Sequence, residues 1–132
     1  MDVKKASVSY FFFFLGLMWK VFQGFKKSTK QEASIFILEK RLLDKFPREN
    51  KDVILESLKS GVTQLTKLRH PQILTVQHPM EESRESLAFA TEPVFSSLCN
   101  VLKNSESLSS STSIKDYKLY EIEIKYGLLQ VK

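Results

Sequence analysis

Residues 50–71, NKDVILESLKSGVTQLTKLRHP, carry a helical pattern set between two pairs of strand-like runs. Ile54, Leu58, Gly61, Leu65 and Leu68 recur at intervals of four and three, which predicts one apolar face of an amphipathic helix. Asn50 or Asp52 is suited to cap its start, and Pro71 enforces its end. Gly61 is the odd member of this face, because glycine at mid-helix costs about 1 kcal/mol relative to alanine. Before the helix, LMWKVFQG and EASIFILEK are joined by the polar FKKSTKQ, with Gly24 as the expected bend. After it, QILTVQHPM and SLAFATEPV flank the charged turn EESRE around Arg84. Period two puts Ser34, Phe36 and Leu38 on one face of their strand, and Ala33, Ile35 and Ile37 on the other. Both faces are apolar around Phe36. Two hairpins with one helix between them predict an α+β unit, a twisted antiparallel sheet with a single helix packed across it.

At 132 residues the chain is long enough for one domain with a modest core. Its net charge is +5, with Lys26, Lys27 and Lys30 as the densest internal basic group. That group reads as a solvated hairpin tip, with contact to an acidic membrane surface as the alternative. No arginine-rich or aromatic-interleaved run points to nucleic acid as a partner. Cys99 is the sole cysteine, so no internal disulfide forms, and a small buried hydrophobe is its expected role. His70 and His78, each followed by proline, have no second ligand at metal-binding spacing, and no metal or cofactor is expected. Glu81, Glu82 and Glu85 read as a solvated turn rather than acid–base machinery.

The N-terminal segment 1–15 sets Lys4 and Lys5 before an apolar run from Tyr10 to Trp19. The run is shorter than the roughly 20 residues of a membrane span, and no small-x-small cleavage site follows. A strand or short helix packed on the rest is expected. Beyond SSLCNVLKN, a short helical turn, residues 103–113 form a serine-rich loop. Residues 114–132 then place Tyr117, Tyr120, Ile124, Leu128 and Val131 at near-helical intervals, with an adhesive apolar surface expected around Tyr117, Tyr120, Leu128 and Leu129.

The order of elements, with LRHPQILTV after the helix and LAFATEPVFSSLCNVL after the second hairpin, resembles the small lobe of a eukaryotic protein kinase over residues 16–132. The strings WKVFQGFKKSTKQEASIFILEK, LTVQHPMEESRESLAFATEPVF and IKDYKLYEIEIKYGLLQV are similar to the Scy-like family of kinase-related proteins, and within it to the branch associated with coated vesicles. The resemblance implies that 16–102 is a kinase-like small lobe with its hinge, and that 114–132 begins the first helix of a large lobe. On this register Thr91 is the gatekeeper, and Glu92, Pro93 and Val94 are the hinge lining the adenine site.

The kinase motif V-A-I-K falls on Ala33, Ser34, Ile35 and Phe36, so phenylalanine stands where the lysine contacts the nucleotide phosphates. Its glutamate partner lies ten positions before the proline that ends the helix, which is Gly61 here. The expected consequence is a Phe36 ring filling the phosphate end of the cleft between sheet and helix, opposite a bare glycine. The glycine-rich loop is replaced by SYFFFFL, and the H-R-D and D-F-G motifs are absent from these residues.

The resemblance therefore implies a catalytically inactive piece of a pseudokinase with a scaffold or adaptor role in clathrin-coated vesicle traffic. It would be cytoplasmic, peripheral to coated vesicles, endosomes or Golgi. Its partners would be the large lobe and, through segments outside these residues, clathrin and adaptor proteins. Two alternatives stand beside it. One is an ATP-binding domain with weak serine/threonine kinase activity in a longer chain, Lys40 substituting for the lost lysine. The other is a small membrane-associated protein using Phe11 to Phe14 beside Lys4 and Lys5.

Overall fold

A computed structural model describes residues 3–14, 17–94 and 120–130. Five strands form one antiparallel sheet: β1 (Val3–Phe14), β2 (Leu17–Lys26), β3 (Glu32–Glu39), β4 (Val76–Glu82) and β5 (Ser86–Thr91), in the spatial order β1-β2-β3-β5-β4. A 3₁₀ helix (Lys40–Lys45) leaves β3 and leads into helix α1 (Arg48–Lys67). A second helix, α2 (Glu121–Gln130), belongs to a separate compact unit, Ser96–Lys132, while the sheet and α1 lie in Met1–Phe95. The expected α+β architecture is present, and the N-terminal segment adds a strand to it. Phe14 pairs with Leu17 and Phe11 with Lys20 across β1 and β2.

The core forms where the period-two faces of three strands meet α1. Phe36 is paired with Val21 on one side and Phe89 on the other, and Leu38 with Leu87. These residues, with Trp19, Leu43, Leu58, Val62 and Val76, make one buried cluster. Ala33 and Ile35 on the opposite face of β3 are buried as well, so the strand is covered on both sides.

Four local expectations are corrected. Gly24 is not the bend of the first hairpin; it lies within β2, paired with Ala33. The chain turns later, where Lys26 N–H donates to Gln31 O and Lys30 N–H to Lys26 O, and Lys30 takes the left-handed conformation at φ 59°. Helix α1 starts at Arg48, two residues before Asn50, with Pro47 ahead of it and no side-chain cap. Proline's fixed φ and missing N–H bar it from a helix interior and are tolerated at its threshold. The third strand candidate begins at Val76 rather than Gln72, because residues 71–73 turn.

The fourth correction concerns the buried face of α1. It is centred on Leu58 and Val62, with Ile54, Leu55 and Leu65 at its margins. Gly61, three residues on from Leu58, is turned about 60° from it and is exposed, with no atom within 4 Å of where a Cβ would sit. Leu68, beyond the helix end, is exposed too.

Ion pairs tie these elements together at the surface. Glu82 of β4 receives Lys40 at 2.6 Å and Lys59 of α1 at 2.9 Å, and Lys59 also meets Glu56 at 3.0 Å. Glu39 pairs with Lys20 and Arg41, and Asp44 with Lys51. In α2, Ile122, Ile124, Tyr126, Leu128 and Leu129 are exposed, as is Tyr120 just before it. Tyr117, Val131, Cys99 and the serine-rich loop lie outside the described residues. Among the described residues no helix is long and apolar enough to cross a membrane.

Candidate functional site

The residues singled out from the sequence converge on β3, the end of β5 and the segment that follows. Strand β3 is central because its alternating apolar side chains are covered on both faces, and its neighbours β2 and β5 fix the register. That register places Phe36 directly across from Phe89, and the two rings stack with centroids 4.9 Å apart and planes 12° from parallel. Trp19 stands edge-on to both, 5.3 Å from Phe89 and 6.5 Å from Phe36. Offset and edge-to-face contacts of this kind contribute about 0.5–1.5 kcal/mol per pair beyond the area buried. Phe36 is therefore a member of an aromatic triad inside the sheet's buried face. An ammonium at this position would be desolvated among aromatic side chains.

The expectation that the ring faces a bare Gly61 does not hold. Phe36 contacts Phe89 and Trp19, whereas Gly61 lines an outward groove of α1 with Ser57, Ser60 and Gln64. Open space surrounds the glycine. The structure thus brings Phe36 and Ser34 to one face and leaves Gly61 apart from them. Lys40, the proposed substitute cation, sits at the start of the 3₁₀ helix with its ammonium on Glu82. The Glu82 carboxyl is held below its usual range, first by the Lys40 hydrogen bond and then by Lys59. The Lys59 ammonium is held above its own, first by Glu82 and then by Glu56.

At the other end of the face, β5 runs out through Thr91, Glu92, Pro93 and Val94. Several polar groups here have specific partners. The buried Thr91 hydroxyl donates to Glu92 O at 2.8 Å. Glu92 grips Thr75 twice: its N–H donates to Thr75 O at 2.9 Å, and its carboxylate accepts the Thr75 N–H at 2.8 Å. Val94 N–H donates to the hydroxyl of Ser34 at 2.8 Å, across 60 positions of sequence. Ser34 is only 1% exposed. The two ends of this bond line a cavity of about 400 Å³ with Gly24, Phe25, Lys30 and Pro93. Lys30 lies over the Phe25 ring at 5.1 Å, a cation–π contact at the cavity mouth.

Sequence reasoning placed Ser34, Phe36, Thr91, Glu92, Pro93 and Val94 in one region, and they are together. It did not find Trp19 and Phe89, the Thr75–Glu92 clasp, or the Lys40–Glu82–Lys59 node. Only the aromatic pair left a trace, since Phe89 falls on the inward period of its own strand. Among the described residues no cluster of histidine, cysteine or carboxylate could hold a metal ion.

No protein-family model matches the chain. SCY1-like protein 2 of Mus musculus is 65% identical over 118 residues, which is 88% of this chain and 13% of that protein. The Homo sapiens protein of the same name is 64% identical over the same length. A Schizosaccharomyces pombe protein, protein kinase domain-containing protein ppk32, is 34% identical over 126 residues, 86% of this chain and 17% of that protein. The chain thus spans less than a fifth of the length of these relatives.

Proposed function

From the premise that this chain belongs to the SCY1-like family of kinase-like proteins, we infer that it is the small lobe of a catalytically inactive kinase-like domain, with a scaffold role in the longer protein. The observation that carries this reading is the placement of Phe36. The sequence register sets it in place of the phosphate-binding lysine of a kinase strand, and its ring is stacked into the sheet's own core. A neutral ring offers no charge to a phosphate. The cation proposed as its substitute, Lys40, is engaged by Glu82. Gly61, which the proposed register sets in place of the helix glutamate, has no side chain and lies on the outward face of α1, apart from Phe36. The scaffold role in clathrin-coated vesicle traffic, the peripheral location on vesicles, endosomes or Golgi, and the adaptor and clathrin partners are proposed for the longer protein, on its kinship.

The test uses the longer protein that contains this chain and a large lobe. Titration with Mg-ATP, followed by melting temperature, is expected to give no stabilisation and no phosphoryl transfer to a generic acceptor. A saturable rise in melting temperature with turnover would reject the inactive reading. Capture of clathrin or its adaptors by the longer protein, and not by the 132-residue chain, is the result expected of the scaffold role.

A further inference from the structure

The bond between Ser34 and Val94 has a chemical consequence for the cavity whose wall it forms. A largely apolar space of about 400 Å³ bordered by the Pro93–Val94 main chain is the size of a site for a small heterocycle, which is oriented by one or two hydrogen bonds to backbone edges. The donor such a ligand needs here is the Val94 N–H. That N–H already donates to Ser34 Oγ at 2.8 Å, from a side chain only 1% exposed. An entering acceptor must displace a hydroxyl that is tethered to the central strand and always in place, so it competes with a very high effective concentration. Displacement also strands the buried Ser34 oxygen without its donor, which carries a desolvation penalty. Two residues earlier, the Glu92 carbonyl already accepts the Thr91 hydroxyl at 2.8 Å.

We propose that Ser34 acts as an internal ligand of the Val94 amide and thereby closes this cavity to adenine-class heterocycles. The proposal deepens the reading of the region as a kinase-like nucleotide cleft and rests on it. It is distinct from the loss of charge at Phe36, because it acts on the base-recognising edge rather than on phosphate. The closure depends on one hydroxyl, and alanine at position 34 would lift it.

The experiment follows the Val94 amide by ¹⁵N-resolved NMR in the 132-residue chain and in Ser34→Ala, with adenosine as the probe so that no phosphate enters. The wild-type amide is expected to exchange slowly with solvent and to stay unshifted by adenosine. In Ser34→Ala it should exchange at least tenfold faster and shift saturably, with at least tenfold tighter adenosine binding. Wild-type exchange at the rate of a free peptide would overturn the proposal without any variant. Equal adenosine binding by both proteins would overturn it, and so would a Ser34→Ala amide that is freed yet still indifferent to adenosine. A parallel titration with Mg-ATP separates the underlying reading: wild-type protein that binds Mg-ATP more tightly than adenosine contradicts the loss of the phosphate site, whatever the Val94 amide does.

Discussion

Lys59 of α1 and Glu82 of β4 meet at 2.9 Å, and the same carboxylate receives Lys40 at 2.6 Å from the start of the 3₁₀ helix that follows β3. One side chain thus joins α1, the 3₁₀ helix and an edge strand. On the proposed register the lysine and glutamate that tie a kinase helix to its sheet are replaced by Phe36 and Gly61. Here an ion-pair node stands at the edge of the sheet instead.

The node predicts a pH window. Glu82 is held below the ordinary carboxylate value of 4.5, first by Lys40, so its contribution is complete above 4.5 and is lost as pH falls through its lower folded value. Lys59 is held above 10.5, first by Glu82, so its contribution is complete below 10.5 and is lost as pH rises through the higher folded value. Urea melts of wild type and Glu82→Gln are expected to differ at pH 7, with the variant less stable. The two should converge at strongly acidic pH. A gap that persists unchanged at low pH would count against the node.

The aromatic triad predicts that restoring the kinase residue weakens the fold. Phe36→Ala is expected to cost about 3–5 kcal/mol, as for other buried aromatic truncations, and Phe36→Lys should be no less damaging and should gain no affinity for Mg-ATP. A double-mutant cycle with Phe89→Ala should return a coupling of about 0.5–1.5 kcal/mol. Trp19 is the single tryptophan, so its emission reports the loosening directly in the same urea titrations.

Gly61→Ala is expected to stabilise the protein by about 0.5–1 kcal/mol, since the position is helical, exposed and empty around the added methyl group. Thermal unfolding of the variant checks this. A loss of stability would mean that the glycine is packed, as its spacing first implies.

The exposed apolar side chains of α2 predict self-association. Ile122 and Leu129, seven residues apart on one helical stripe, are 76% and 72% exposed. Light scattering should show a mass that rises with concentration, and Ile122→Lys with Leu129→Lys should bring it toward that of the monomer.

How far these features can be read from sequence differs from residue to residue. Phe36 was legible because a strand motif of fixed length surrounds it, and because alternation alone puts it on an apolar face. Gly61 was misread because Ile54, Leu58 and Leu65 are compatible with two neighbouring stripes. Leu55 and Val62 decide between them, and their weight appears only when the helix meets the sheet. Gly24 drew the turn toward itself, yet Lys30 supplies the left-handed residue, a conformation that lysine seldom takes and that composition does not announce. Ser34 was legible as a position and not as a bond. Its partner lies 60 residues away, and only the β3–β5 register brings the two together.

The strand order also bears on how the molecule comes together. Neighbours in sequence pair within β1–β2–β3 and within β4–β5, but the seam between β3 and β5 joins segments no closer along the chain than Glu39 and Ser86. Closing it requires the 3₁₀ helix, α1 and β4 to be looped out, an entropic cost that the locally paired strands do not bear. The Phe36–Phe89 stack and the Ser34–Val94 bond both belong to this seam. Refolding should therefore proceed from a locally formed β1–β2–β3 meander and β4–β5 hairpin to a slower docking step, and the residues that close the cleft are the ones that register last.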